Sequence, residues 1–122
     1  MKIRILLWLD DIRDPFENDG EWLVFSPISQ PYRVAWVKSY VEFTKWIERF
    51  GLPDAICFDH DLGGDEESSK LYPSGFDCAK WLVNYCIDNN KDLPRWAVQS
   101  ANPVGKDNIN SLLSNYLKFS NK

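Results

Sequence analysis

The chain has 122 residues, of which 44% are hydrophobic and 26% charged, and its net charge is −4. These values fit one folded domain that buries a core without disulfide staples, and they exclude a disordered, collagen-like or coiled-coil chain. The acidic balance opposes coating of duplex DNA, which needs an excess of Lys and Arg. No apolar run approaches the roughly 18 residues of a membrane span.

Ile3 to Leu9 is an apolar run, broken only by Arg4, that ends in Asp10-Asp11, the pattern of a strand buried on both faces. The basic start ahead of it lacks a small-residue cleavage site, so the chain is expected to be cytoplasmic. Residues 12–33 carry Gly20, Pro15, Pro27 and Pro31 and read as one long functional loop, with a short strand near Glu21–Phe25. Trp22 and the other loop aromatics are expected to form a satellite core rather than a base-stacking platform.

Arg33–Val37 is a second strand. Ser39-Tyr40-Val41-Glu42 is a capping box, followed by a stripe of Tyr40, Phe43, Ile47 and Phe50 and closed by Gly51. Ala55–Phe58 is a third strand, again ending in acids, Asp59 and Asp61. The polar stretch 63–73 is a loop. Ser74-Gly75-Phe76-Asp77 opens a second helix whose buried face holds Phe76, Ala79, Val83 and Cys86, and Asn89-Asn90 ends it. Arg95–Gln99 is a fourth strand. Asn102-Pro103 caps a last helix with a stripe of Ile109, Leu112, Leu113, Tyr116 and Leu117. Cys57, Cys78 and Cys86 fall within apolar segments at no metal-like spacing and read as buried thiols.

Strands alternating with helices predict an α/β fold with a parallel sheet covered on both faces. The flavodoxin-like order 2-1-3-4, a truncated three-layer sandwich over residues 1–122, makes the first and third strands neighbours at the switch point. Asp10-Asp11 and Asp59-His60-Asp61 then meet at one crevice. Carboxylates so close repel strongly and call for protonation or a cation, and Mg²⁺ or Mn²⁺ suits such oxygen ligands. Ser100 arrives at the same rim, and Asn102 stands at a helix start where amides bind phosphate. Arg13 offers a fork for the same anion, or a loop ion pair. His60, the one histidine, reads either as a proton shuttle between two acids or as a packed side chain.

At these residues the chain resembles the receiver domains of two-component response regulators. The matching pieces are Leu9-Asp10-Asp11, Pro53 through Asp59, Gly75-Phe76-Asp77 and Ser100-Ala101. The resemblance implies that Asp10 and Asp11 bind Mg²⁺, that Asp59 is the phosphoacceptor position and that Ser100 contacts the phosphoryl group. The sequence departs from that pattern in three ways. A proline-rich loop replaces the first helix, no lysine marks a fifth strand, and Asp61 adds an acid.

A closer likeness is to the cyclic-phosphate-processing receiver domains of bacteria and phages. It rests on Leu9-Asp10-Asp11-Ile12-Arg13-Asp14-Pro15, Phe58-Asp59-His60-Asp61-Leu62-Gly63, and Ser100-Ala101-Asn102-Pro103-Val104-Gly105 with Asn108-Ile109. This resemblance implies work on cyclic phosphate ends during RNA repair. A histidine commonly precedes the serine in that group, and here Gln99 takes the place. The Asp-x-Asp of haloacid-dehalogenase-type phosphatases is a weaker match, because it belongs to the first strand of a longer fold.

The expected function is therefore metal-dependent phosphoester chemistry on a small phosphorylated ligand or a cyclic-phosphate RNA end, with neither duplex DNA nor a membrane as partner. Asp10, Asp11 and Asp59 are the expected metal ligands. Asp59, His60 and Asp61 are the catalytic candidates, and Arg13, Ser100 and Asn102 the phosphate-binding ones. Asp59 fits a ligand, a nucleophile or a stable phosphoacceptor. A signalling receiver with a protein partner and a non-catalytic metal- or nucleotide-binding module are the competing readings.

Overall fold

The computed structural model describes residues 3–17, 23–24, 26–59, 74–99 and 103–120. Four strands form one parallel sheet: β1 (Ile5–Leu9), β2 (Arg33–Val37), β3 (Ala55–Phe58) and β4 (Arg95–Val98), in the order β2-β1-β3-β4. The three helices are α1 (Tyr40–Phe50), α2 (Gly75–Asn89) and α3 (Pro103–Ser120). The expected order 2-1-3-4 is the observed one. Among the described residues no helix is long and apolar enough to cross a membrane.

The two central strands are the apolar runs. Leu6 to Leu9 and Ala55 to Phe58 are fully buried, whereas β2 and β4, at the sheet edges, begin with exposed arginines. Burial on both faces removes the need for alternation, so these strands read as unbroken hydrophobic segments.

Crossover handedness decides what covers each face. The β2-to-β3 and β3-to-β4 connections run the same way across the sheet, so right-handed crossovers place α1 and α2 on one side. The β1-to-β2 connection runs the opposite way and falls on the other. The buried clusters agree. Leu7, Leu9, Val37, Ile56, Phe58 and Val98 pack with Phe43 and Ile47 of α1, Leu82 and Cys86 of α2, and Ile109 and Leu113 of α3. Leu6, Trp8, Ala55 and Cys57 face the other side, against Leu23, Ile28 and Tyr32. Among the described residues the third layer is thus irregular chain, where receiver proteins carry a helix.

Local signals account for the element ends. The Ser74 hydroxyl accepts from the Asp77 N–H, and the Asp77 carboxylate accepts from the Ser74 N–H at 2.7 Å, a complete capping box. At α1 only half of the expected box forms. Ser39 accepts from the Glu42 N–H, but the Glu42 carboxylate takes the N–H of Lys38, one residue earlier. Gly51 at φ +85° and Asn90 at φ +53° end α1 and α2 in the left-handed region.

Three expectations need correction. Leu23 and Val24 lie in a 3₁₀ turn closed by the Ser26 N–H on the Leu23 carbonyl, so the strand near Glu21–Phe25 is not formed there. Leu23 is held by packing on the sheet rather than by a strand partner. Arg33 belongs to β2 rather than to the loop. Phe50 and Leu117 lie outside the buried stripes of their helices: Phe50 is 61% exposed, its ring tilted at 46° against that of Trp46 at the end of α1.

Candidate metal centre

Asp10 follows β1 directly and Asp59 follows β3 directly. The Asp10 N–H donates to the Val37 carbonyl, and the Asp59 N–H to the Leu9 carbonyl. The ladder therefore continues one residue past each strand and delivers both aspartates to the carboxyl edge of adjacent central strands, at the switch point. Carboxylate oxygens of Asp10, Asp11 and Asp59 lie within 4.8 Å of one another. Asp10, Asp11 and Asp59 come together as the sequence predicts.

Asp10 is fully buried. Its Oδ1 accepts the N–H groups of Ile12 and Arg13, both at 2.9 Å, which folds the chain into a tight turn. Its Oδ2 accepts from Arg13 Nη1 at 3.1 Å. The same Nη1 stands 3.9 Å from Asp59 Oδ1. Arg13 is thus placed within the acid cluster as an ion-pair partner.

Two tryptophans fix this turn. Trp8 and Trp36 are register partners on β1 and β2 and share a sheet face. Trp36 donates its indole N–H to the Asp10 carbonyl at 2.7 Å, and Trp8 donates to the Arg13 carbonyl at 2.9 Å. Sequence reasoning missed Trp36 as a site residue. Its signal was its place one residue before the end of β2, level with Trp8.

Gln99, which stands where the family resemblance implies a histidine, also reaches this rim. It is buried at the end of β4, its N–H on the Phe58 carbonyl and its Nε2 donating to the Leu9 carbonyl at 3.1 Å. A polar side chain closing an apolar strand was the available clue. His60, Asp61, Ser100 and Asn102 lie outside the described residues.

The donor set fits a hard divalent cation. Among the described residues three carboxylates cluster here, two of them beside the Arg13 guanidinium, and Asp11 Oδ1 is buried without a hydrogen-bond partner. A buried, unpaired carboxylate oxygen is costly unless a positive centre compensates it. Oxygen-only donors suit Mg²⁺ or Mn²⁺ rather than zinc or copper. The cysteines do not compete for such a role. Burial pushes the Cys57 thiol up to about 12 and the Cys86 thiol up to about 11, and Cys78 moves the same way.

Comparisons with known proteins bear on the family and the fold. No curated protein matches the chain. Among solved structures, a fusion carrying amino acids 181–211 of the yeast Spc42 trimeric coiled coil matches with 18% identity and a TM-score of 0.59. That match covers 92% of this chain but 65% of the other, so the chain spans just under two thirds of that structure's length, and the likeness speaks to fold alone. The family model for the cyclic-phosphate processing receiver domain matches residues 5–115. From the acid-tipped central strands to α3, the chain belongs to the cyclic-phosphate processing receiver domain family.

Proposed function

We propose that this receiver domain is a divalent-metal-dependent phosphoesterase that opens a cyclic phosphate, carried by an RNA end or by a cyclic nucleotide. The observation that carries the reading is the meeting of Asp10, Asp11 and Asp59 within 4.8 Å. In this reading the three carboxylates hold Mg²⁺ or Mn²⁺, and the bound ion supplies Lewis-acid stabilisation of charge on phosphoryl oxygens.

The chain's own residues supply the rest. Arg13 presents a planar fork to a phosphoryl oxygen. The Ser100 hydroxyl and the amides that follow Asn102 at the start of α3 neutralise charge that builds in the transition state. His60 or Asp61 takes a proton from the attacking water or returns one to the leaving oxygen. One P–O ester bond breaks as the new O–P bond forms, leaving an open phosphomonoester. Attack by Asp59 itself expels the ring oxygen, which takes a proton, and water then cleaves the acyl phosphate to give the same phosphomonoester and the free carboxylate.

The test is a panel of cyclic mono-, di- and oligonucleotides and cyclic-ended RNA, incubated with Mg²⁺ or Mn²⁺. Wild type is expected to open at least one ring, and Asp59→Asn none. Equal activity in both proteins would place the chemistry elsewhere. A lasting mass gain of one phosphoryl group after exposure to a small phosphodonor would instead support a signalling receiver.

A further inference from the structure

Arg13 has a fixed backbone and a guanidinium that stands beside the carboxylates of both Asp10 and Asp59. Its N–H is held by Asp10 Oδ1 and its carbonyl by the Trp8 indole, so the main chain is pinned on both sides. The side chain retains 25% exposure, and its Nη1 bridges Asp10 Oδ2 and, at longer range, Asp59 Oδ1. Asp10 Oδ1 already accepts two N–H groups. Oδ2 is therefore the oxygen Asp10 has left to offer a cation, and it is the one the guanidinium holds.

A guanidinium and a divalent ion drawn to the same carboxylates stand a few ångströms apart. Their repulsion in a partly buried site exceeds what one charge-assisted hydrogen bond returns. We infer that Arg13 is the resident counter-charge of the Asp10–Asp59 pair, competing with a divalent cation. Cation uptake turns its guanidinium about the pinned backbone, away from the carboxylates and towards a phosphoryl anion. This inference rests on the metal-binding reading of the cluster. It adds an order of events: the cation binds first and releases the anion clamp second. It also gives the cluster a compensating charge at low metal, so the same arginine serves stability in one state and anion binding in the other.

Titration calorimetry with Mn²⁺ on the full chain tests the inference through its sign. A competitor's removal tightens binding, whereas removal of a supporting residue weakens it. Arg13→Gln is expected to bind Mn²⁺ about tenfold more tightly than wild type, the scale of one charge-assisted hydrogen bond. In chelator its melting temperature falls below that of wild type, and saturating Mn²⁺ closes the gap. Equal or weaker affinity in Arg13→Gln, with wild type still taking up Mn²⁺, overturns the inference and leaves the metal reading standing. No uptake by wild type overturns both.

Wild type alone supplies a second measurement should the variant fail to fold. The Arg13 Nε–H resonance is expected to broaden into solvent exchange as Mg²⁺ saturates the protein, and to sharpen again when inorganic phosphate is added. A resonance unmoved through the titration overturns the inference.

Discussion

The Trp36 indole N–H donates to the Asp10 carbonyl at 2.7 Å, tying the edge strand β2 to the first acid of the cluster. Asp10 is fully buried, so this carbonyl has no access to water. Trp36→Phe keeps an aromatic ring on the sheet face but leaves the carbonyl unpaired. It should lower stability by about 1–2 kcal/mol, read as a shift of the urea midpoint at constant slope. It should also weaken Mn²⁺ binding, because the turn that aims Asp10 loses one of its two indole anchors. A midpoint equal to that of wild type would show that the bond contributes nothing.

The two strand-end aspartates should respond in opposite directions to the same isosteric change. Asp10→Asn sets an amide N–H against Arg13 Nη1 or, if rotated, against the N–H groups of Ile12 and Arg13. Either placement opposes donor to donor in a fully buried position and should cost about 2–3 kcal/mol. Asp59→Asn removes one negative charge from three that crowd within 4.8 Å. Its melting temperature in chelator should lie at or above that of wild type, and the rise on adding Mn²⁺ should vanish. Destabilisation of both variants by equal amounts would remove the argument that charge repulsion is stored at Asp59.

How much of this was legible in the sequence differs from residue to residue. Leu6 to Leu9 and Ala55 to Phe58 declared themselves as central strands because burial on both faces leaves no polar position to confuse the pattern. The acids after them declared the site, since a parallel sheet collects strand ends at one edge. The 12–32 segment was less legible. Leu23 and Ile28 are apolar as strand residues are, yet they cover the sheet from an irregular path that no periodicity encodes. Trp36 was missed, and Gln99 was noted only as standing in a histidine's place, because their roles are hydrogen bonds between strands, set by register more than by spacing along the chain. Glu42 showed the limit of motif reading: the capping box has the right letters, and its carboxylate takes the neighbouring N–H.

The three thiols set an alkaline limit to stability. Burial raises Cys57 from 9.0 to about 12 and Cys86 from 9.0 to about 11. Below pH 9.0 both folded and unfolded chains keep these protons, so the thiols add no pH dependence. Above it the unfolded chain releases protons that the folded chain still holds. Stability is therefore lost as pH rises from 9.0 towards the folded values of about 11 to 12. Urea midpoints should fall over that window. Alkylation at about pH 8 should be slow for the folded protein and rapid in urea. Fast labelling of the folded protein would mean that the core around Cys57, Cys78 and Cys86 opens readily.

Gln99 should be replaceable at little or no loss of stability. Its Nε2 donates to the Leu9 carbonyl, but that carbonyl also accepts the Asp59 N–H at 3.0 Å and stays satisfied without it. Its Oε1 is buried with no hydrogen-bond partner among the described residues, a state that costs about 1–3 kcal/mol. Gln99→Met keeps the length and flexibility of the side chain and removes the unpaired oxygen. Stability should be unchanged or higher by about 1 kcal/mol. Mn²⁺ affinity should hold, because the Asp59 N–H still anchors that residue to the Leu9 carbonyl. Calorimetric melts with and without Mn²⁺ check both halves. A loss greater than about 1 kcal/mol would mean that the Nε2 bond outweighs the stranded oxygen. A drop in Mn²⁺ affinity at full stability would mean that Gln99, and not the strand ladder, sets the position of Asp59.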